Sequence, residues 1–347
     1  MINLPGHFVF ELTRRCNHNC LHCDTVWGSP ELGYPPEQAE LSSSQTIAAI
    51  ARLQSQVPLR SIGLSGGEPL LKEGLPQIVD FISSQDIDLI IITNGSLLTA
   101  NMISRLGLNK SNKSNIVYEI PLLSFKKEVH DRLSGKTGAW DGATNALVDV
   151  AKAEETPVAA FVATKLNHKD LFKTGELAIA LGADALMYNR INLAAHNFPY
   201  VEQLMPSPAM IREDLEALEA LNQAYGLPVS VSVVIEPCIV DMSSYSHLKF
   251  VGCPLCGEDS YFTIDPSGYI RICNHSPEIL GNILADDFPE IFYKNKHVCN
   301  YRECLPDECV SCIHPLKDKC NGGCRAAAEQ CYGTIEKVDP FVKLSNL

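Results

Sequence analysis

Residues 11–25 read ELTRRCNHNCLHCDT and place Cys16, Cys20 and Cys23 in a C-x3-C-x2-C spacing. The strand-like run HFVFEL leads straight into them, so the thiols lie on a loop at the end of a strand. Cubane iron–sulfur clusters are normally held by four cysteine thiolates. Three thiolates on one short loop therefore predict a cluster with one iron open to another ligand, as a catalytic zinc keeps an open position. A zinc site with a remote fourth ligand, or buried free thiols, are the alternatives at this point.

The overall composition and charge limit the possible partners. The chain has 347 residues, 46% hydrophobic and 20% charged, enough to bury a substantial core. Its formal net charge of −13, without a Lys/Arg-rich block, disfavours nucleic acid or an anionic membrane as a partner. No apolar run approaches the ~20 residues of a membrane span, and the N-terminus carries no export signal. We therefore expect a cytoplasmic protein.

The 14 cysteines are distributed unevenly. Three lie within the first 23 residues and the other eleven lie from residue 238 onward. Reducing cytosol disfavours stable disulfides, so clustered cysteines there indicate metal or redox chemistry. The asymmetry predicts two units with separate metal sites.

The sequence from residue 7 to about residue 195 alternates between apolar strand-like runs and helix-like segments, six times in all. This alternation predicts a parallel α/β layer or a partial barrel. In such folds, ligands bind at the C-terminal ends of the strands. The cysteine loop, Gly66-Gly67-Glu68-Pro69 and Thr93-Asn94-Gly95 each follow a strand, so we expect all three to face the same rim.

These motifs resemble those of the radical S-adenosylmethionine (SAM) superfamily, over roughly residues 7–195. The resemblance implies an α/β fold with a partial (β/α)6, TIM-like barrel. It implies a [4Fe-4S] cluster on Cys16, Cys20 and Cys23 whose open iron binds SAM. It also implies reductive cleavage of SAM to a 5′-deoxyadenosyl radical, which abstracts hydrogen from the substrate.

The same resemblance implies a set of SAM contacts. The two glycines of the Gly-Gly-Glu-Pro motif would let the backbone approach the methionyl amino group, and its glutamate would accept a hydrogen bond there. The Thr-Asn pair would bind the ribose or the carboxylate, and an arginine, or alternatively Lys136, would bind the carboxylate. His18 and His22 are expected to pack against the cluster. The candidate SAM-binding residues are Gly66, Gly67, Glu68, Pro69, Thr93, Asn94, Arg132 and Arg190.

The C-terminal cysteine field resembles the SPASM extension of radical SAM enzymes, over about residues 250–342. The matching pattern is Cys256-x11-Gly268-x4-Cys273, then Cys309-x2-Cys312 and Cys320-x3-Cys324. The resemblance implies a small cysteine-rich α+β domain with two auxiliary clusters, expected to be [4Fe-4S]. The resemblance implies that the first auxiliary cluster is held by Cys253 or Cys256, or both, with Cys273 and Cys324. The second is held mostly by Cys309, Cys312 and Cys320.

Two departures from the SPASM pattern leave the fourth ligand of the second cluster open. The gap between Cys312 and Cys320 is seven residues rather than five, and the Asp339-Pro340 segment lacks the last cysteine of the family. Cys331 is the first candidate for this fourth ligand, and Cys304 and Cys299 are the next candidates. Cys238 stands alone after Glu236-Pro237 and is interpreted as a small buried hydrophobe, with a ligand or substrate-radical role as the alternative. Two zinc sites are the alternative for the whole field.

The predicted organisation has three parts. Residues 1–198 form the radical SAM partial barrel, residues 199–235 a bridge with a Leu-rich helix, and residues 236–347 the auxiliary-cluster domain. Within the last part, Pro266-Ser267-Gly268 predicts the turn of a hairpin.

Enzymes with a SPASM extension mostly modify peptides, so a ribosomal precursor peptide is the expected substrate. Crosslinking, oxidation or backbone excision such as tyramine splicing is the expected reaction. Asn274 stands where sulfatase maturases place an acidic base, which disfavours sulfatase maturation. No motif identifies a catalytic side chain.

The partners follow from the same resemblance. Only about six residues precede the first strand, so we expect a separate small protein to bind the leader of the precursor. A flavodoxin- or ferredoxin-type protein is the expected electron donor. The alternative functions are a small-molecule dehydrogenase or a tetrapyrrole-modifying enzyme on the same scaffold. A non-catalytic iron–sulfur or zinc protein is disfavoured by the intact Gly66–Pro69 loop.

Overall fold

The computed structural model describes residues 3–28, 39–107, 115–195, 197–251, 260–303 and 305–344. Cys253, Cys256 and Cys304 lie outside these ranges, so the predictions that concern them are untested by the structure. Within the described ranges, the strands form one continuous sheet flanked by helices.

The sheet has eleven strands among the described residues. They are β1 (His7–Glu11), β2 (Ser61–Ser65), β3 (Asp88–Ile92), β4 (Val117–Pro121), β5 (Thr156–Ala163), β6 (Ala185–Arg190), β7 (Val229–Val231), β8 (Leu248–Phe250), β9 (Tyr261–Ile264), β10 (Tyr269–Arg271) and β11 (Gly281–Asn282). Strands β1 to β8 pair in parallel and in sequence order. Strand β9 pairs in parallel with the other side of β1, and β10 and β11 continue from it antiparallel. Strand β1 is therefore an interior strand, and the sheet is not closed into a barrel.

The α-helices alternate with the parallel strands and then cluster in the C-terminal part. They are α1 (Ser43–Gln54), α2 (Leu75–Ser83), α3 (Ala100–Gly107), α4 (Lys127–Ser134), α5 (Ala139–Lys152), α6 (Leu171–Ala180), α7 (Val201–Leu204), α8 (Pro208–Tyr225), α9 (Phe288–Lys294), α10 (Lys296–Glu303), α11 (Lys317–Cys320), α12 (Arg325–Tyr332) and α13 (Pro340–Leu344). None of those described is long and apolar enough to cross a membrane.

Helix boundaries follow local sequence signals. Helix α1 starts with a capping box, in which Ser42 and Gln45 each satisfy the backbone N–H of the other. Helix α8 starts at Pro208 behind the N-cap Ser207 and stops at Gly226, whose φ is +71°. These signals fix where each crossover begins and ends, and so where the strand-end loops lie.

The two faces of the sheet have different roles. Phe8, Phe10, Ile62 and Leu64 alternate along β1 and β2 on one face and are at most 2% exposed. Phe8 packs edge-on against Phe288 of α9, with ring centroids 5.0 Å apart. This face is the hydrophobic core, and the intervening residues of the same strands face the opposite side.

The predicted α/β partial barrel is confirmed, and the sheet extends further than predicted. The segment interpreted as a bridge contributes α8 and β7, and β8 follows it. Strand β7 lies within the strand-like run PVSVSVVIEP of residues 228–237, whereas β8 has three residues, too few for a periodic pattern to reveal. The hairpin at Pro266-Ser267-Gly268 is confirmed, because the Gly268 amide donates to the Asp265 carbonyl (2.9 Å) between β9 and β10. The three domain boundaries stay predictions.

Candidate active site

The cysteine loop follows β1 and is fastened to the C-terminal end of α4. The amide of Asn19 donates to the carbonyl of Ser134 (3.2 Å), and the amide of Leu21 donates to that of Leu133 (2.9 Å). Helix α4 ends at Gly135, whose φ is +58° and where a Cβ would clash with the carbonyl oxygen of Asn19. The helix end and its glycine therefore fix the backbone on both sides of Cys20.

Cys16, Cys20 and Cys23 carry free thiols. Burial raises the pKa of each thiol, and the charges of the other two raise that of Cys20 further. Thiols that repel one another as anions suit a cationic centre that draws thiolates together.

Gly66 and Gly67 lie against the backbone that leads into the cysteine loop. The amide of Gly67 donates to the carbonyl of Thr13 (2.8 Å), and that of Glu68 donates to the carbonyl of Arg15 (2.8 Å). Gly66 has a φ of +120°, and a Cβ there would lie 2.7 Å from the Thr13 oxygen. A Cβ on Gly67 would clash with the Arg15 oxygen. The glycines thus let the loop after β2 pack onto the loop after β1, and their contact with SAM stays a prediction.

The Glu68 carboxylate joins two of the predicted motifs. It is fully buried and accepts hydrogen bonds from the Leu70 amide (3.0 Å), the Thr93 hydroxyl (2.7 Å) and the Asn94 amide (2.8 Å). Burial raises its pKa, and these three hydrogen bonds lower it. Pro69 begins the helical turn that Glu68 caps. Glu68 therefore holds the Thr93-Asn94 turn in place, while its predicted contact with an ammonium group stays a prediction.

Asn94 connects this turn to the cysteine loop. Its amide nitrogen donates to Oδ1 of Asn17 (2.8 Å), and its own Oδ1 accepts from the hydroxyl of Ser96 (2.6 Å). Asn17 in turn donates to the Ser96 hydroxyl oxygen (2.8 Å), which closes a ring of three side chains. Because Asn17 is the neighbour of Cys16, the ring couples the position of the first thiol to the loop after β3.

A cavity of about 410 Å³ lies on the face of the sheet opposite the hydrophobic core. Its walls join the N-terminal and C-terminal parts of the chain. The strand residues Val9, Ser65, Ile92, Glu119, Val162, Met187 and Asn189 line it from one side. His22 and Asp24 of the cysteine loop line it together with Cys273 and Cys324. The three thiols of the cysteine loop are not among the residues that line the cavity.

Glu119 is the acidic residue of β4 and lines the cavity. Burial alone raises the pKa of its carboxyl to about 7. A carboxyl with that pKa can hold or release a proton near neutral pH, which suits a group that meets a substrate.

Several buried polar atoms next to the cysteine loop and in the cavity wall have no hydrogen-bond partner. They are Nε2 of His18, Nδ1 of His22, and Oδ1 of Asn189 and Asn192. Unpaired polar atoms are costly in a protein interior unless a ligand satisfies them. Free thiols, imidazoles beside them and amide oxygens form a donor and acceptor set that fits an iron–sulfur cluster with a polar organic ligand.

Residues 10–171 match the sequence model of the Radical SAM superfamily. The matched segment contains the cysteine loop, the loop after β2 and the loop after β3, which the structure brings together. Residues 10–171 are therefore a radical SAM domain. The match carries the expectation of a [4Fe-4S] cluster and SAM, which the thiols and loops described above fit.

Relatives with a radical SAM fold match almost the whole chain. Mycofactocin maturase MftC from Mycolicibacterium smegmatis is 26% identical over 342 residues, covering 94% of this chain and 79% of that protein. The Mycobacterium tuberculosis MftC is 27% identical, with 94% and 80% covered. Streptococcus suis SuiB bound to the precursor peptide SuiA superposes with a TM-score of 0.74 at 16% identity, covering 98% of this chain and 76% of SuiB. The enzyme anSMEcpe with bound AdoMet superposes with a TM-score of 0.73 at 16% identity, covering 98% of this chain and 94% of anSMEcpe.

The two arginines predicted to bind SAM lie in different settings of this radical SAM fold. Arg132 is exposed on α4, beside the helix end that holds the cysteine loop. Arg190 is fully buried and lines the cavity, where it pairs with Asp339 and with Glu236 (3.4 Å) and donates to the Val234 carbonyl (2.9 Å). Its guanidinium is thus already paired within the protein. SAM binding by either arginine stays a prediction.

The C-terminal cysteines divide into two locations. Cys273 and Cys324, predicted for the first auxiliary cluster, both line the cavity. Cys309, Cys312 and Cys320, predicted for the second, do not line it. Their ligand roles stay predictions, as does that of Cys331.

Sequence reasoning missed the residues that connect these motifs. Asn17, Ser96 and Glu119 were not singled out, nor was His275, whose Nδ1 lies 3.4 Å from Oδ2 of Asp24. The sequence did contain one indication of the role of Glu119, because an acidic residue inside an apolar strand such as VYEIP usually faces a polar cavity. The others sit in loops with no periodic pattern.

Proposed function

We propose that this radical SAM enzyme modifies a ribosomally made precursor peptide by abstracting hydrogen from it. The observation that carries the proposal is the cavity whose wall joins the cysteine loop to Cys273 and Cys324. A substrate there would lie between the predicted SAM site and the predicted first auxiliary cluster. The maturase name of the mycofactocin relatives and the peptide bound to SuiB support a peptide substrate.

Cys16, Cys20 and Cys23 would hold the SAM-binding cluster, and the loops after β2 and β3 would form the SAM site. When bound, the reduced cluster and SAM supply the one-electron cleavage that makes hydrogen abstraction possible. The chain itself positions these loops through Glu68 and the Asn17–Asn94–Ser96 ring. Glu119 holds a proton in the cavity near neutral pH, and the apolar strand residues around it exclude water.

The size of the cavity bears on how a peptide would bind. A volume of about 410 Å³ is at the small end of the range for drug-sized ligands, roughly 300–1,000 Å³. It would hold one or two side chains of an extended peptide and leave the rest outside. The modified residue would therefore enter the cavity, and recognition of the remaining precursor would fall to surfaces around it.

The C-terminal part would carry two auxiliary [4Fe-4S] clusters. Cys253 or Cys256, or both, with Cys273 and Cys324 would hold the first, and Cys309, Cys312 and Cys320 most of the second.

The finer assignments rest on the family resemblance alone. Crosslinking, oxidation and backbone excision such as tyramine splicing are the candidate reactions. A separate small leader-binding protein, a flavodoxin- or ferredoxin-type donor and a cytoplasmic location complete the proposal. Copurification of the chain with a small protein encoded beside it would support the partner, and full activity of the chain alone on a leaderless core peptide would contradict it.

The proposal is tested by the origin of the abstracted hydrogen. Reconstituted protein, SAM and dithionite are incubated anaerobically with a perdeuterated precursor peptide encoded near the gene, and 5′-deoxyadenosine is analysed by mass spectrometry. Deuterium in 5′-deoxyadenosine and a mass change in the peptide are expected. The matched control is the C16A/C20A/C23A variant, which should give neither. Deuterium transfer from a deuterated aminocyclitol, with none from any peptide, would favour the small-molecule dehydrogenase instead.

A further inference from the structure

The thiols proposed to hold most of the second auxiliary cluster lie on two segments that pack together. The amide of Cys312 donates to the carbonyl of Cys309 (3.1 Å). Cys320 ends α11, and residues 321–323 after it all have positive φ. A Cβ on Gly322 would lie 3.6 Å from the Sγ of Cys309. This tight turn therefore presses the Cys320 segment against Cys309.

Cys238 belongs to a loop after β7 that packs on the same turn. The carboxylate of Glu236 lies so close to Gly323 that a Cβ there would clash with it. The amides of Ile239 and Val240 donate to the Glu236 carbonyl (2.9 and 3.1 Å), so Cys238 belongs to a turn that starts at Glu236. That thiol is free and exposed. Cys238 is thus two residues from a direct contact with the turn that follows Cys320.

Cys331 has different surroundings. It lies on α12 and packs against the hydrophobic core. Burial raises the pKa of its thiol to about 12, and the charge that adds to the effect is that of Asp339 rather than another cysteine. Cys299, the other described candidate, donates its thiol to the Tyr293 carbonyl (3.7 Å).

We propose that Cys238 supplies the fourth thiolate of the second auxiliary cluster, beside Cys309, Cys312 and Cys320. The proposal rests on the auxiliary clusters proposed above. In this assignment Cys238, rather than Cys331, is the fourth ligand. The cluster then needs no cysteine from the Asp339-Pro340 segment. A cluster held by four cysteines has no open iron, so this one does not bind substrate directly.

The test isolates the auxiliary clusters by using the C16A/C20A/C23A background, reconstituted anaerobically. The background is expected to hold about eight irons per chain, four for each cubane cluster. Adding C238A should remove one to four of them and give the electron paramagnetic resonance signal of a three-iron cluster or none. Adding C331A instead should leave the iron content unchanged. A background that holds no iron would overturn the auxiliary clusters themselves, whereas full iron in the C238A variant would overturn only the role of Cys238.

A second measurement needs no substitution at Cys238. Reconstituted wild-type protein is treated with iodoacetamide before and after removal of iron by a chelator, and alkylated peptides are quantified by mass spectrometry. Cys238 is exposed, so without a bound iron it should react readily. We expect at least tenfold protection of Cys238 in the iron-loaded protein and its loss after chelation. Complete alkylation of Cys238 in protein that retains its iron would overturn the proposal.

Discussion

Glu68 is the residue through which two strand-end loops hold each other. Its carboxylate accepts three hydrogen bonds in a fully buried setting. In an E68Q variant the new amide would turn a donor toward the Asn94 N–H. We expect a loss of about 1–3 kcal/mol in the free energy of unfolding, the usual cost of one unpaired buried donor. SAM affinity should fall together with stability, because the Thr93-Asn94 turn shifts.

Urea unfolding and equilibrium dialysis with labelled SAM measure the two effects of E68Q. E73Q is the matched control, since Glu73 is exposed a few residues further along the same loop. An E68Q protein as stable as wild type, with unchanged SAM affinity, would refute the positioning role.

Glu119 makes stability depend on pH. Burial raises the pKa of its carboxyl from 4.5 to about 7. The folded state therefore keeps a proton that the unfolded state releases between these values, so folded wild-type protein loses stability as pH rises through this window. E119Q has no such group. Between pH 6 and pH 8 we expect E119Q to gain on the order of 1 kcal/mol relative to wild type.

Anaerobic urea unfolding of the reconstituted proteins at pH 6, 7 and 8 measures this difference. The exposed Glu128 provides the control, because E128Q should track wild type at every pH. A constant offset between E119Q and wild type across the range would mean that Glu119 is ionised throughout.

At the scale of elements, the end of α4 is the support of the cysteine loop. Gly135 has a positive φ and also meets the Asn19 carbonyl, whereas Gly226 ends α8 with a similar φ, and a Cβ there would meet no atom within 4 Å. Alanine at either site carries the strain of a left-handed residue, about 1–2 kcal/mol. Only G135A also displaces the loop. We expect SAM cleavage to fall at least tenfold in G135A, because small displacements of reacting groups cost about 10²-fold.

The G226A variant should keep SAM cleavage within about twofold of wild type after losing the same strain energy. Iron content per chain and 5′-deoxyadenosine production, measured side by side, separate the two effects. Equal losses in both variants would show that helix capping, rather than docking of the cysteine loop, causes the defect.

Elements with clear periodicity could be predicted from sequence, and those without it could not. The apolar strands β1 to β6 and the capped helices α1 and α8 were predicted close to where they lie. The hairpin of β9 and β10 was also predicted from its Pro-Ser-Gly turn. Its parallel pairing with β1 was not, because that contact joins residues about 250 positions apart and leaves no local pattern. The three-residue strand β8 was too short to recognise.

At the scale of the whole molecule, buried ion pairs tie the two cysteine-bearing parts together. Glu11 at the end of β1 pairs with Arg271, which also donates to the carbonyls of Asn274 and Ser276 (both 2.9 Å) after Cys273. Asp339 pairs with Arg190 and accepts from the amide of Cys324 (2.8 Å).

These ion pairs show which parts of the site could be predicted from the sequence and which could not. The motifs identified the residue types of the site because the spacing of cysteines and the glycines of a turn can be recognised within a few consecutive residues. The pairs Arg190–Asp339 and Arg271–Glu11 span 149 and 260 positions. The sequence pointed to Arg190 as a candidate ligand for SAM, and only its partners revealed it as a link between β6 and the segment that holds Cys324.

We propose that three thiolates at the end of β1 hold an iron–sulfur cluster that cleaves SAM. The decisive measurement is iron content and 5′-deoxyadenosine production in reconstituted wild-type protein and the C16A/C20A/C23A variant, with dithionite and SAM. We expect about twelve irons per wild-type chain, about four fewer in the variant, and 5′-deoxyadenosine from wild type alone. Zinc in place of iron, or no cleavage of SAM by iron-loaded wild-type protein, would contradict it.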